Sequence, residues 1–195
     1  MTANDLLRRL RHALGMNASG IAALCSRAGY EIRPADVKRL LRREEEEGFE
    51  PCDSRVIEAF LDGLIIERRG PRDGGSAAPA AVLTNNIVIR KLRIALELDE
   101  TGMLAVFRSA GTAVSRAELS ALFRGAGQRN YKECGDQLLR NFLRGLYAER
   151  TTDGAAESTD GAGVPESSPG GSAGRCSGKG MAAAVSPGGM NEKDR

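Results

Sequence analysis

Asn4-Asp-Leu-Leu-Arg-Arg-Leu-Arg-His-Ala-Leu14 returns 82 residues later as Asn86-Ile-Val-Ile-Arg-Lys-Leu-Arg-Ile-Ala-Leu96. In both stretches the apolar side chains recur every three or four positions (Leu6, Leu7, Leu10 and Leu14, then Val88, Ile89, Leu92 and Leu96), which is the spacing of one helix face and not of a strand. The same offset aligns residues 4–68 with 86–150 without a gap, and 20 of those 65 positions are identical. That is several times the chance level, so the chain carries an internal duplication.

Working outward, each copy reads as four helices. The second begins at Asn17 or Asp99, both residues that cap a helix start, and stops before Gly29 or Gly111, which suit the left-handed position past a helix end. The third starts at Arg33-Pro34 in one copy and at the capping box Ser115-Arg-Ala-Glu118 in the other. Extension of that third helix to Gly48 would set Arg42 against Glu46 and Arg43 against Glu47. The fourth carries Val56, Phe60, Leu61 and Leu64, matched by Leu138, Phe142, Leu143 and Leu146. A unit of this size is marginal alone, so the two copies are expected to pack on each other about a pseudo-two-fold axis. The fold class is all-α: two tandem four-helix units and a disordered C-terminal tail.

Composition marks the boundaries. The first repeat occupies 1–70, a Pro/Gly/Ser-rich linker 71–84, the second repeat 85–150, and a Gly/Ala/Ser-rich segment 151–195 is expected to be disordered. Net charge is +4 over 1–150 and −2 beyond, well short of a strongly basic nucleic-acid binder. No apolar run is long enough to span a bilayer and the N-terminus lacks a signal-peptide core, which points to the cytosol and away from membranes. Four cysteines, Cys25, Cys52, Cys134 and Cys176, lie too far apart for a CxxC motif and are expected as free thiols.

Several stretches together resemble one family: Leu41-Arg-Arg-Glu-Glu-Glu-Glu-Gly-Phe49, Phe60-Leu-Asp-Gly-Leu-Ile65, Asn85-Asn-Ile-Val-Ile-Arg-Lys-Leu-Arg-Ile-Ala95 and Glu133-Cys-Gly-Asp-Gln-Leu-Leu-Arg-Asn-Phe-Leu-Arg-Gly-Leu146. They are similar to the YehS-like proteins, a bacterial family of unknown function with the same tandem repeat. The resemblance spans about residues 4–150 and implies the architecture; it brings no catalytic residue, cofactor or ligand with it.

The candidate sites are few. His12, the only histidine, has no evident partner to make it a general base. Cys52 and Cys134 sit near the start of the fourth helix, where a helix dipole can lower a thiol pKa, although small buried cysteines are the commoner case. Glu44 to Glu47 could cluster around a cation, but the aligned residues of the second copy are Ala126, Gly127, Gln128 and Arg129. Phe60 and Phe142 read as core anchors, and Gly63 and Gly145 as places where another helix comes close. The matched arginines Arg8/Arg90, Arg11/Arg93 and Arg42/Arg124 are the one repeated polar feature that a core does not obviously require, and Arg8 and Arg11 fall largely off the apolar stripe. The sequence therefore indicates a non-enzymatic, cytosolic protein-interaction or regulatory module without cofactor or metal. Its alternative is a nucleic-acid-binding protein that grips RNA or DNA phosphates with those arginines.

Overall fold

The computed structural model describes residues 1–70 and 82–156, without the side chains of 153–156; most of the expected linker and of the expected disordered tail lie outside them. The described chain forms eight helices and no strand: α1 (Ala3–Leu14), α2 (Ala18–Arg27), α3 (Pro34–Leu40), α4 (Ser54–Arg69), α5 (Asn85–Ala95), α6 (Glu100–Ser109), α7 (Arg116–Leu122) and α8 (Asp136–Ala156). The all-α tandem-repeat expectation is borne out.

Local chemistry explains most of the ends. Asn17 and Asp99 accept from the backbone N–H groups of Gly20 (2.8 Å) and Gly102 (2.7 Å), each satisfying an orphan donor of a first turn. Ser115 and Glu118 close the reciprocal capping box of α7. Gly29 and Gly111 follow α2 and α6 at φ 79° and 67°. Two ends differ from the sequence reading. Helix α3 stops at Leu40, so the ion pairs of Arg42 with Glu46 and Arg43 with Glu47 do not form; the chain instead turns through 41–49 with Gly48 in the left-handed region at φ 75°. Asn130, aligned with Gly48, takes the same conformation at φ 62°. Helix α8 continues past Arg150, where the sequence repeat ends, and there Thr151 and Thr152 donate their hydroxyls to the Tyr147 and Ala148 carbonyls of the preceding turn.

The copies are intertwined. Within a repeat the fourth helix packs on the second (α2 with α4, α6 with α8), but each first helix lies mainly on the fourth helix of the other repeat, α1 on α8 and α5 on α4. Gly63 and Gly145 permit the first kind of contact: a methyl at Gly63 would run into the Leu24 carbonyl of α2, and one at Gly145 into the Val106 carbonyl of α6. Across the second kind run the Lys91–Asp62 ion pair (2.7 Å) and the stack of His12 on Tyr147, ring centroids 4.2 Å apart. Phe60, Phe107 and Phe142 are fully buried, with Phe107 and Phe142 tilted against each other at 5.2 Å. The result is one shared core with pseudo-two-fold pairing of the repeats.

Candidate functional site

Asn4 and Asn86, nearly fully buried, set the frame on which the polar residues sit. The Asn4 amide donates to the carbonyls of Leu40 and Glu50 (both 2.8 Å) and accepts from Cys52 N (2.9 Å). Asn86 repeats this with Leu122, Lys132 (both 2.9 Å) and Cys134 N (2.8 Å). Each asparagine thereby ties the first helix of its repeat to both ends of the loop between the third and fourth helices. Buried backbone groups without partners are costly, and this single side chain satisfies three of them.

The matched arginines work on the same loops. Arg8 donates to the Arg42 carbonyl (2.7 Å) and Arg90 to that of Phe123 (2.7 Å), just past the C-terminal ends of α3 and α7, where carbonyls lack helical partners. Arg42 and Arg124 reach the carbonyls of Glu47 and Arg129 and close the following turns. Arg8 is moreover half-buried and lies 3.9 Å from Asp5, so it is not the free solvent-facing charge the helical wheel suggested. A fold-based requirement thus accounts for much of the repetition of these arginines. Arg11 is exposed and without an acceptor among the described residues.

Arg93 departs from Arg11. Its Nε donates to the Leu98 carbonyl (3.2 Å) and its guanidinium lies over the Phe123 ring at 4.8 Å. Beside it, between α5, α6 and α7, opens a cleft of about 320 Å³ whose lining includes Arg93, Arg124, Ser120 and Gln128 together with the apolar Leu119 and Phe123. Glu100 also borders it, with its carboxylate paired to Arg116 at 3.1 Å. The structure therefore brings Arg93 and Arg124 together at one recess, while Arg8, Arg11, Arg42 and Arg90 do not line it.

The residues considered for covalent chemistry are placed differently. Burial pushes the Cys134 thiol up to about 11 and the Cys52 thiol to about 12, the nearby Asp53 adding to the latter; Cys25 is likewise raised to about 11 by burial. A thiol so shifted is a poor nucleophile. Glu44 to Glu47 are solvent-exposed, and among the described residues no three His, Cys, Asp or Glu side chains gather as a metal site. No described helix is long and apolar enough to cross a membrane.

Two segments of the chain, 3–70 and 85–151, match the family described as Protein of unknown function (DUF1456), one segment for each repeat. The chain belongs to this family. It is 39% identical over 151 residues to Uncharacterized protein YehS of Escherichia coli (strain K12), covering 77% of this chain and 97% of the relative. No solved structure matches. Membership in the DUF1456 family assigns no activity.

Sequence reasoning missed Asn4 and Asn86 as functional parts of the scaffold, although both were in the repeated set. It also missed Phe123, Ser120 and Gln128 as cleft residues. Their signal was weak: Phe123 aligns with Leu41 and Gln128 with Glu46, so no identity marks them.

Proposed function

We propose that this member of the DUF1456 family is a cytosolic, non-enzymatic protein-interaction module, and that the cleft between α5, α6 and α7 is its docking site. The observation that carries the reading is the cleft's make-up: an apolar floor from Leu119 and Phe123 beside two guanidiniums, each already held by a backbone carbonyl. Such a recess suits a partner segment that sets an apolar side chain on the floor and an anionic group against the arginines. Its volume lies at the low end of the ~300–1,000 Å³ usual for ligand pockets, enough for one or two side chains. The reading also fits the candidate nucleophiles and the lone histidine being occupied in packing.

Affinity capture from bacterial lysate with and without nuclease, comparing the wild-type chain with Ser120→Glu, tests it. Ser120 is exposed on α7, so the added carboxylate sets a negative charge beside the two guanidiniums without entering the core. A protein held by wild type and lost by the variant, and bound again when both are purified, supports the docking site. Partners that vanish with nuclease in both chains support the nucleic-acid alternative. Partners unaffected by Ser120→Glu contradict the cleft.

A further inference from the structure

Resting on the reading of the cleft as a docking site, we infer that its anionic subsite takes a phosphate monoester, and that only the second repeat has this subsite.

The donors left over at the cleft define the ligand. Arg93 spends Nε on Leu98, which leaves both terminal nitrogens without an acceptor among the described residues. Arg124 spends one terminal nitrogen on the Arg129 carbonyl at 2.8 Å and keeps its other N–H groups. Gln128 accepts from Gly125 N (2.9 Å) through its side-chain oxygen, so its NH₂ remains as a donor, and Ser120 adds a hydroxyl. Four donor groups and two positive charges therefore border one recess, and the single carboxylate there, of Glu100, is paired with Arg116. A phosphate monoester carries a charge of about −1.5 to −2 at neutral pH and three acceptor oxygens, which matches two guanidiniums better than a carboxylate does. Both guanidiniums are pre-positioned, Arg93 by its stack on Phe123, so less side-chain freedom is lost on binding.

The first repeat lacks these conditions. Where the second has Phe123 the first has Leu41, and Arg11 is exposed with neither ring nor carbonyl to hold it. Gln128 is replaced by Glu46, in the middle of the exposed run Glu44 to Glu47 whose counterpart is Ala126, Gly127, Gln128 and Arg129. Those four positions carry four negative charges in one repeat and one positive charge in the other. Like charge opposes an oxyanion in the first copy and favours it in the second. Both halves thus use Arg8/Arg90 and Arg42/Arg124 on their loops, while only the second sets Arg93 and Arg124 at a recess open to a ligand.

The test is a titration of the full chain followed through the arginine side-chain N–H resonances. Inorganic phosphate should shift Arg93 and Arg124 saturably in the millimolar range and leave Arg11 and Arg42 in place; Ser120→Glu should weaken the effect by tenfold or more, ~1.4 kcal/mol. A peptide with phosphoserine next to leucine should bind at least about tenfold more tightly than phosphate, because it adds apolar contact of ~1.4 kcal/mol or more. Acetate acting as well as phosphate, equal shifts in both repeats, or no saturable shift overturns the inference, whatever the capture experiment returns. A single-stranded oligonucleotide that binds these residues more tightly than the phosphopeptide also overturns it in favour of phosphodiesters. Saturable phosphate binding with no gain from the peptide upholds the subsite and removes the docking reading, assigning the cleft to a free phosphorylated compound.

Discussion

Replacing Asn86 by alanine removes three of the hydrogen bonds that tie the α7–α8 loop to α5 and leaves those of Asn85 and Arg90 in place. Two of them, to the Leu122 carbonyl and from Cys134 N, are fully buried, and the third, to Lys132, is partly so. An unsatisfied buried backbone group costs ~1–3 kcal/mol, so the two buried ones alone give about 2–6 kcal/mol, a large part of the ~5–15 kcal/mol that holds a domain folded. For a chain of this size about 3 kcal/mol corresponds to a fall of ~6–12 °C in Tm. Asn86→Asp makes the comparison sharper. It keeps the acceptor for Cys134 N but turns the donor nitrogen into an oxygen facing two carbonyls, so at neutral pH it should be at least as damaging as alanine. Urea unfolding followed by far-ultraviolet circular dichroism, at unchanged m-value, gives both numbers. A loss under about 1 kcal/mol for both variants would refute the role assigned to this side chain, since even one orphaned buried group exceeds that.

Other outcomes follow from the same geometry. Phe60→Ala and Phe142→Ala should each cost ~3–5 kcal/mol by thermal or chemical unfolding, since both rings are fully buried. Cys25, Cys52 and Cys134 should react with iodoacetamide on the order of a hundredfold more slowly in the native chain than in urea, because burial places their pKa values at about 11 to 12; equal rates would contradict that placement. Glu118, held at about 2 by Lys132 and by Ser115, contributes stability that is present above ~4.3, the unfolded carboxylate value, and is lost as pH falls toward about 2, so acid should destabilise wild type more than Glu118→Gln over that window.

What the sequence made legible was whatever is encoded locally or by repetition. Asn17, Asp99 and Ser115 announce helix starts because a cap needs only the next three residues, and the offset of 82 shows two equivalent halves. Periodicity shows that α1 has a buried face, yet it cannot say against which helix; only the fold reveals that α1 lies on α8 and not mainly on α4. The same limit hid Asn4, whose partners Leu40, Glu50 and Cys52 lie 36 to 48 residues away. Arg8 was seen but misread as free charge, because the carbonyl it serves appears only once α3 ends where it does, whereas Arg11 is exposed as the helical wheel indicated. The cleft was invisible for a related reason: its ring, one guanidinium and its amide come from the turn that follows α7, while the other guanidinium comes from α5, well before it in the chain.

The intertwining of the repeats is the central structural claim, and the lone histidine offers a direct view of it. In a chain with one His and three Tyr residues, the ring protons of His12 and Tyr147 can be assigned without engineering any change. Their rings stack within 18° of parallel at 4.2 Å, one from the first helix of the first repeat and one from the last helix of the second. A nuclear Overhauser cross-peak between the His12 and Tyr147 rings in the native full-length chain is the predicted result. His12 ring contacts confined to residues of its own repeat would contradict the exchange of first helices between the two halves.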